Sequence, residues 1–183
     1  LIHEPDENFS LTAAVDDPTT ITAAGSVLNA AGLIRNDDGN PTVNLIPIDT
    51  ISEGNSGVVQ KQVEVRLNHG SSLPTQIELV ASDLTAVASA DYVYLSSNTL
   101  TFQPGAPLSQ FVTVEVKGDT LFERDEQFRL EIVSSPNALI DTGRIDITIA
   151  NDDAPPTLTV TGGSPVEGNV TADNHVVPFT LAL

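Results

Sequence analysis

The chain repeats itself, and the period limits what it can fold into more than any other feature. Glu4-Pro5-Asp6-Glu7-Asn8-Phe9-Ser10-Leu11 returns as Glu123-Arg124-Asp125-Glu126-Gln127-Phe128-Arg129-Leu130, with Phe9 and Phe128 119 positions apart. Asn36-Asp37-Asp38 returns as Asn151-Asp152-Asp153 at a spacing of 115, and Glu53-Gly54-Asn55 as Glu167-Gly168-Asn169 at 114. Three echoes near one spacing define a repeat of about 115 residues with small loop-length changes. On this reading residues 1–38 are the C-terminal part of one repeat, 39–153 form a complete repeat, and 154–183 open a third. The chain thus begins within a repeat, so the lack of a targeting sequence carries no information. Pro41 after Asp38, and Pro155-Pro156 after Asp153, stiffen short junctions, so neighbouring repeats are expected to touch.

Within the complete repeat the apolar period is two. Val63, Val65 and Leu67 alternate with Gln62, Glu64 and Arg66, and Val112, Val114 and Val116 with Thr113 and Glu115. Such alternation of β-branched residues marks half-buried strands. Turn signals fall at Asn68-His69-Gly70 and Pro104-Gly105. The pattern predicts about seven strands, at 44–48, 58–67, 76–81, 99–102, 109–116, 126–133 and 144–150. Seven short strands in roughly 110 residues imply an all-β, immunoglobulin-like β-sandwich, repeated in tandem. Phe102 and Phe128 are core positions by pattern.

Charge then excludes partners. Lys+Arg number 7 against Asp+Glu 25, a net charge of −18. A nucleic-acid partner needs a basic face, and anionic lipid is disfavoured for the same reason. No apolar run approaches the ~20 residues of a membrane span, so no direct membrane insertion is expected. With no Cys, disulfides and thiolate sites are excluded. With Tyr 2 and Phe 6, no aromatic platform for stacking glycans is evident. His3, His69 and His175 form no metal-binding pair, and no nucleophile elbow is present, so no catalytic residue is assigned and enzymatic activity is not expected. His3 aligns with Phe122 and reads as a packing position. Asn169-Val170-Thr171 fits a glycosylation sequon, a triplet that also arises by chance. The acid excess itself has two readings: solubility in a salty or extracellular medium, or binding of divalent cations.

Strand parity bears on that choice. When consecutive strands run antiparallel, the first, third, fifth and seventh end at one pole. The segments that follow them carry Glu53, then Asp83, then Asp119, Glu123, Asp125 and Glu126, then Asp152 and Asp153. Like charges about 4 Å apart cost of the order of 1–4 kcal/mol per pair in a partly solvated site. The loops could splay, some acids could protonate, or cations could fill the cluster. Hard oxygen donors select Ca²⁺. The bland alternative is a solvated loop face.

The repeat resembles a Calx-β domain, the module of sodium–calcium exchanger regulatory loops, an integrin tail and many bacterial surface proteins. The resemblance rests on Ile51-Ser52-Glu53-Gly54, Asp83-Leu84-Thr85-Ala86 with Asp91-Tyr92, Thr99-Leu100-Thr101-Phe102-Gln103-Pro104-Gly105, Gly118-Asp119 with Glu123, Asp125, Glu126 and Phe128, and Ile149-Ala150-Asn151-Asp152-Asp153. It implies a Ca²⁺ cluster held by Glu53, Asp83, Asp119, the Leu121 carbonyl, Glu123, Glu126, Asp152 and Asp153. In the first, partial repeat the matching positions are Glu4, Glu7, Asp37 and Asp38. Asp91-Tyr92 is expected to serve the fold. Leu84 stands where the family often has Gly, Gly118 where high-affinity domains have an acid, and Asn151 interrupts the closing acid run. These departures imply fewer ions or weaker binding, with Kd of roughly 10⁻⁵–10⁻³ M.

Three roles follow. A calcium-rigidified structural or adhesive repeat in a secreted or cell-surface protein, bacterial by resemblance, fits tandem copies best. Its partners would be neighbouring repeats, with a cell-surface or matrix ligand reached through other domains. The alternatives are a calcium sensor of a membrane transporter and a passive spacer without metal.

Overall fold

The structure, a computed structural model, describes residues 2–14, 27–94, 98–163 and 179–182. Its strands are β1 (Ile2–His3), β2 (Glu7–Ala14), β3 (Val27–Ile34), β4 (Thr42–Leu45), β5 (Ile51–Ser52), β6 (Gly57–Leu67), β7 (Gly70–Ser71) and β8 (Thr75–Asp83). They continue as β9 (Tyr92–Tyr94), β10 (Thr99–Phe102), β11 (Ser109–Gly118), β12 (Glu126–Ser134), β13 (Leu139–Ile140), β14 (Arg144–Ala150), β15 (Thr159–Gly162) and β16 (Phe179–Ala182). No helix occurs among the described residues.

Two five-stranded sheets form a β-sandwich, in the orders β10-β8-β12-β14-β5 and β13-β4-β6-β11-β9. The predicted alternation fills the space between them. Val63, Val65, Val112, Val114 and Val116 from one sheet, and Ile77, Leu79, Phe128, Leu130 and Ile147 from the other, are all buried. Their polar neighbours face out, where Arg129 of β12 pairs with Asp146 of β14 at 2.7 Å.

The first of the seven expected strands has its bounds corrected, and two short strands that were not expected join the sheets. The first ends at Leu45, three residues short of the expected 48, and resumes as β5 on the other sheet. Pro47 lies in the crossing, where its missing N–H removes a ladder bond. The fourth lies where expected, as β10, and β9, which precedes it in the other sheet, was not foreseen. The seventh lies where expected, as β14, and β13, not foreseen, precedes it in the other sheet across Asp141-Thr142-Gly143. First and last strands switch together and stay paired: β13 runs parallel to β4, and β14 parallel to β5. All other pairings within the two sheets are antiparallel. The parity argument therefore holds: the segments after β5, β8, β11 and β14 lie at one pole.

The flanking pieces follow the registers of their echoes. β2 and β3 pair antiparallel with Phe9 opposite Gly32, as Phe128 lies opposite Ile147 in β12 and β14. β15 and β16 pair with Val160 opposite Leu181, as Leu45 lies opposite Val65 in β4 and β6. At the pole remote from the acids, β1 runs parallel to β7, with Ile2 opposite Gly70 and His3 opposite Ser71.

Candidate metal centre

Glu53 leaves β5 beside the end of β14, its amide donating to the Ala150 carbonyl at 3.2 Å. It is only 7% exposed, and its Oε1 has no hydrogen-bond partner. A buried, unpaired carboxylate oxygen is costly. Its proton affinity is raised, first by burial and then by the charges of Asp119, Glu123, Asp153 and Asp152. These four acids come from two segments far apart in sequence. Asp153 Oδ2 is likewise buried without a partner.

A second knot of acid adjoins it through Glu123. Carboxylate oxygens of Asp91, Glu123 and Glu126 lie within 4.8 Å of one another. Burial, the charge and hydrogen bond of Asp91, and then Glu123 and Glu53 push the Glu126 carboxyl up to about 7. None of the groups acting on Glu53 or Glu126 is a cation.

The remaining bonds fix the loops. The Leu121 amide donates to Asp119 Oδ1 at 2.7 Å, tightening the segment after β11, while the Leu121 side chain stays exposed. Ser52 Oγ donates to Asp152 Oδ2 at 2.8 Å, and Asn55 Nδ2 to Asp153 Oδ1 at 2.7 Å. Asn151 ties both acid segments together. Its Oδ1 accepts from the Glu123 amide at 3.0 Å, its Nδ2 donates to the Asp153 carbonyl at 2.9 Å, and its own amide donates to Asp125 Oδ1 at 3.2 Å. An aspartate there could not donate to a carbonyl, so the missing charge at 151 has a structural return.

Asp83 and Asp91 both fix the segment after β8. Asp83 Oδ1 accepts from the Tyr92 hydroxyl at 2.7 Å and the Ala88 amide at 2.9 Å. Tyr92 itself stacks on Phe128, centroids 4.0 Å apart, under the acidic pole. Burial first, then Asp83, raises the affinity of that hydroxyl for its proton. Asp83 is not among the charges acting on Glu53 or Glu126. Asp91, expected to serve the fold alone, does hold the Val87 amide with Oδ2 at 2.7 Å, yet it also joins Glu123 and Glu126. The only signal for it in sequence is an acid before a core tyrosine.

The first, partial repeat reproduces the loop-fixing bonds. The Asn36 amide donates to Asp6 Oδ1 at 2.8 Å and Asn36 Nδ2 to the Asp38 carbonyl at 2.6 Å, as Asn151 does with Asp125 and Asp153. Asp38 Oδ2 accepts from the Ile2 amide at 3.2 Å. Glu4, Glu7 and Asp37 are exposed. His3 is half-buried against Asn36 and the Asp38 carbonyl, and His69 bonds its own turn at the Gly70 carbonyl. His175, Glu167-Gly168-Asn169 and the sequon at Asn169 lie outside the described residues.

Gly118 also has a structural cause. A Cβ there would overlap the carbonyl oxygens of Glu53 and Gly54. The backbone that buries Glu53 lies against Gly118, which leaves no room for an acid. Gly118→Asp is therefore expected to destabilise the metal-free repeat by about 2 kcal/mol, the scale of overpacking. Urea unfolding in EDTA checks this, and an unchanged midpoint would show that the 53–54 loop yields freely.

The two sheets, with acids gathered from four loops at one end, define a β-sandwich domain with a carboxylate-lined pole. The family model of the Calx-beta domain matches residues 37–153, and the chain belongs to that family, one of binding and regulatory rather than catalytic domains. Among solved structures, the Calx CBD1 domain in its apo form is similar at 25% identity and a TM-score of 0.55, over 63% of this chain and 100% of that one. CBD12 from CALX1.2 is similar at 25% identity and a TM-score of 0.54, over 61% of this chain. The match spans 46% of the CBD12 chain, less than half its length. No curated protein matches the chain.

Proposed function

We propose that this chain is a calcium-binding segment of a tandem β-sandwich array, in which Ca²⁺ stiffens the joints of a secreted or cell-surface protein. The observation that carries the reading is Glu53: a carboxylate 7% exposed, one oxygen unpartnered, with four acids acting on it and no cation. An all-oxygen, carboxylate-rich donor set suits Ca²⁺, which accepts 6–8 oxygens in flexible geometry. Glu53, Asp119, Glu123, Asp152 and Asp153 would hold ions at the centre, with Asp91 and Glu126 beside them. Asp83 and the Leu121 carbonyl complete the set implied by family resemblance, and Glu4, Glu7, Asp37 and Asp38 repeat it in the partial copy. Bound Ca²⁺ would supply the positive charge these acids lack and tie Asp152 and Asp153, where the linker begins, to the loop after β5. A regulatory sensor in a membrane transporter is the second reading, favoured by the likeness to the Calx domains. Membrane spans flanking the repeats in the whole gene would support it.

Ligand substitution tests the site. Glu126→Gln keeps shape and removes charge, so calorimetric titration is expected to show a lost site or affinity at least tenfold weaker. Asp146→Asn breaks an exposed pair with Arg129 on β14, worth under about 1 kcal/mol, and should leave binding unchanged. Equal effects from both would reduce the site to diffuse electrostatics. Stiffening is read by small-angle scattering of the chain, whose distance distribution should narrow in Ca²⁺ relative to EDTA. Superimposable curves in the two buffers would remove the mechanical role.

A further inference from the structure

The chain displays one joint between repeats, and a second, unfilled edge matches it. Ile2–His3 runs parallel to Gly70–Ser71 in the turn after β6. The His3 carbonyl accepts from the Ser72 amide at 2.7 Å and from Ser71 Oγ at 3.3 Å. Ile2 lines an apolar groove with Leu67, Phe102, Pro107 and Leu108. At the repeat spacing of 119, Ile2 and His3 correspond to Leu121 and Phe122. Those two residues lie beside the acidic loop with 62% and 45% of their surface exposed.

Chain order says what should cover them. Downstream of Asp153, Pro156-Thr157-Leu158-Thr159-Val160 repeats the pattern of Pro41-Thr42-Val43-Asn44-Leu45. β15 and β16 then pair in the register of β4 and β6. The receiving turn follows β6, so in the next copy it follows β16.

We propose that Leu121–Phe122 is a docking edge for the turn after the second strand of the following repeat, paired to it in parallel as Ile2–His3 pairs with Gly70–Ser71. The inference rests on the tandem reading and names the partner of the acidic pole: another copy of the same repeat. Leu121 takes the place of Ile2 in that copy's groove. The segment that contributes Asp119 and Glu123 to the acid cluster then also forms the inter-repeat contact, so the same loop would carry ions and joint.

Two full-length chains can form this joint in trans once the groove of one is vacated. The chain has no cysteine, so introduced thiols report one contact only. Leu121→Cys is placed in the first chain. The second carries Ile2→Asp, which drives β1 from the apolar groove, and Gly70→Cys, where a Cβ meets nothing within 4 Å. Salt of about 0.15 M or more screens repulsion between the acidic chains. Mixed under mild oxidation, the pair is expected to form heterodimer at least tenfold faster than Leu121→Cys with Val133→Cys, an exposed position outside the joint. Retaining Ile2 in the second chain should slow the cross-link, because β1 then keeps its place on the Gly70–Ser71 edge. Trapping no faster than the Val133 control, or no slower with Ile2 retained, would overturn the docking edge. Calcium binding is titrated separately on the unmixed chains, so loss of docking and loss of ion binding are told apart.

Discussion

In Ca²⁺ at about a hundred times Kd the complete repeat is expected to melt roughly 10–15 °C above its midpoint in EDTA. The folded pole gathers acids from the loops after β5, β11 and β14, which the unfolded chain scatters, so the ion binds one state far better than the other. At a hundred times Kd, a single site contributes about 2.7 kcal/mol. For a domain of this size each kcal/mol moves the midpoint by about 4–8 °C, toward the lower end as length grows. Glu53 gives the effect its structural origin. Burying its carboxylate among Asp119, Glu123, Asp152 and Asp153 costs free energy without a cation, and a bound Ca²⁺ offsets that cost. Mg²⁺, which demands near-ideal octahedral geometry and keeps its waters, should shift the midpoint much less. Scanning calorimetry in the three buffers reads the difference. Coincident transitions in Ca²⁺ and EDTA would leave the passive-spacer reading in possession.

What was legible in the sequence followed from periods. The two-residue period placed Val63, Val65, Val112, Val114 and Ile147 in the core, and the repeat period located echoes whose strand registers agree. Parity gathered the acids without contact information, because it needs only that neighbouring strands alternate in direction. The break in the first strand, and the short strands β9 and β13 in the opposite sheet, were not legible. Which sheet a short segment joins depends on its partners, and only Pro47 gave a local sign. Side-chain roles at the pole were equally hidden. Asp83 ends β8 and Asp91 follows it before β9, and only the position of the Tyr92 hydroxyl shows that it engages Asp83 while Asp91 meets Glu126. Asn151 reads in sequence as a missing charge, whereas its donor amide is what holds Asp153 to Glu123. The pairing of Ile2–His3 with Gly70–Ser71 joins segments nearly seventy residues apart, which no local pattern encodes.

Between about pH 5 and 7.5 the stability of this chain is expected to fall with pH in EDTA and to stay nearly level in saturating Ca²⁺. In EDTA, the Glu126 carboxyl titrates at about 7 in the folded state against an ordinary value of 4.5, raised by burial first and then by Asp91, Glu123 and Glu53. The folded chain therefore keeps a proton that the unfolded chain has released. Stability in EDTA is highest below the unfolded value and falls as pH rises through the folded one. At about 1.4 kcal/mol per unit, the coupled acids around Glu126 account for a loss of the order of a few kcal/mol by pH 7.5. Glu53, also raised, acts in the same direction. Glu64 and Asp146 are lowered by Ser109 and Arg66 and by Arg129, so their contributions vanish only at more acid pH, outside this window. In Ca²⁺ the ion displaces the same protons, so affinity rises with pH and, at saturation, offsets the loss of stability seen in EDTA. The gap between melting midpoints in Ca²⁺ and EDTA should thus widen steadily from pH 5 to 7.5. Glu126→Gln fixes the uncharged form: in EDTA at pH 7.5 it should melt above the wild type, while gaining less from Ca²⁺. An EDTA curve that rises with pH across the window would mean that Glu126 is paired with a positive charge in the folded chain, and the metal site would lose its electrostatic basis.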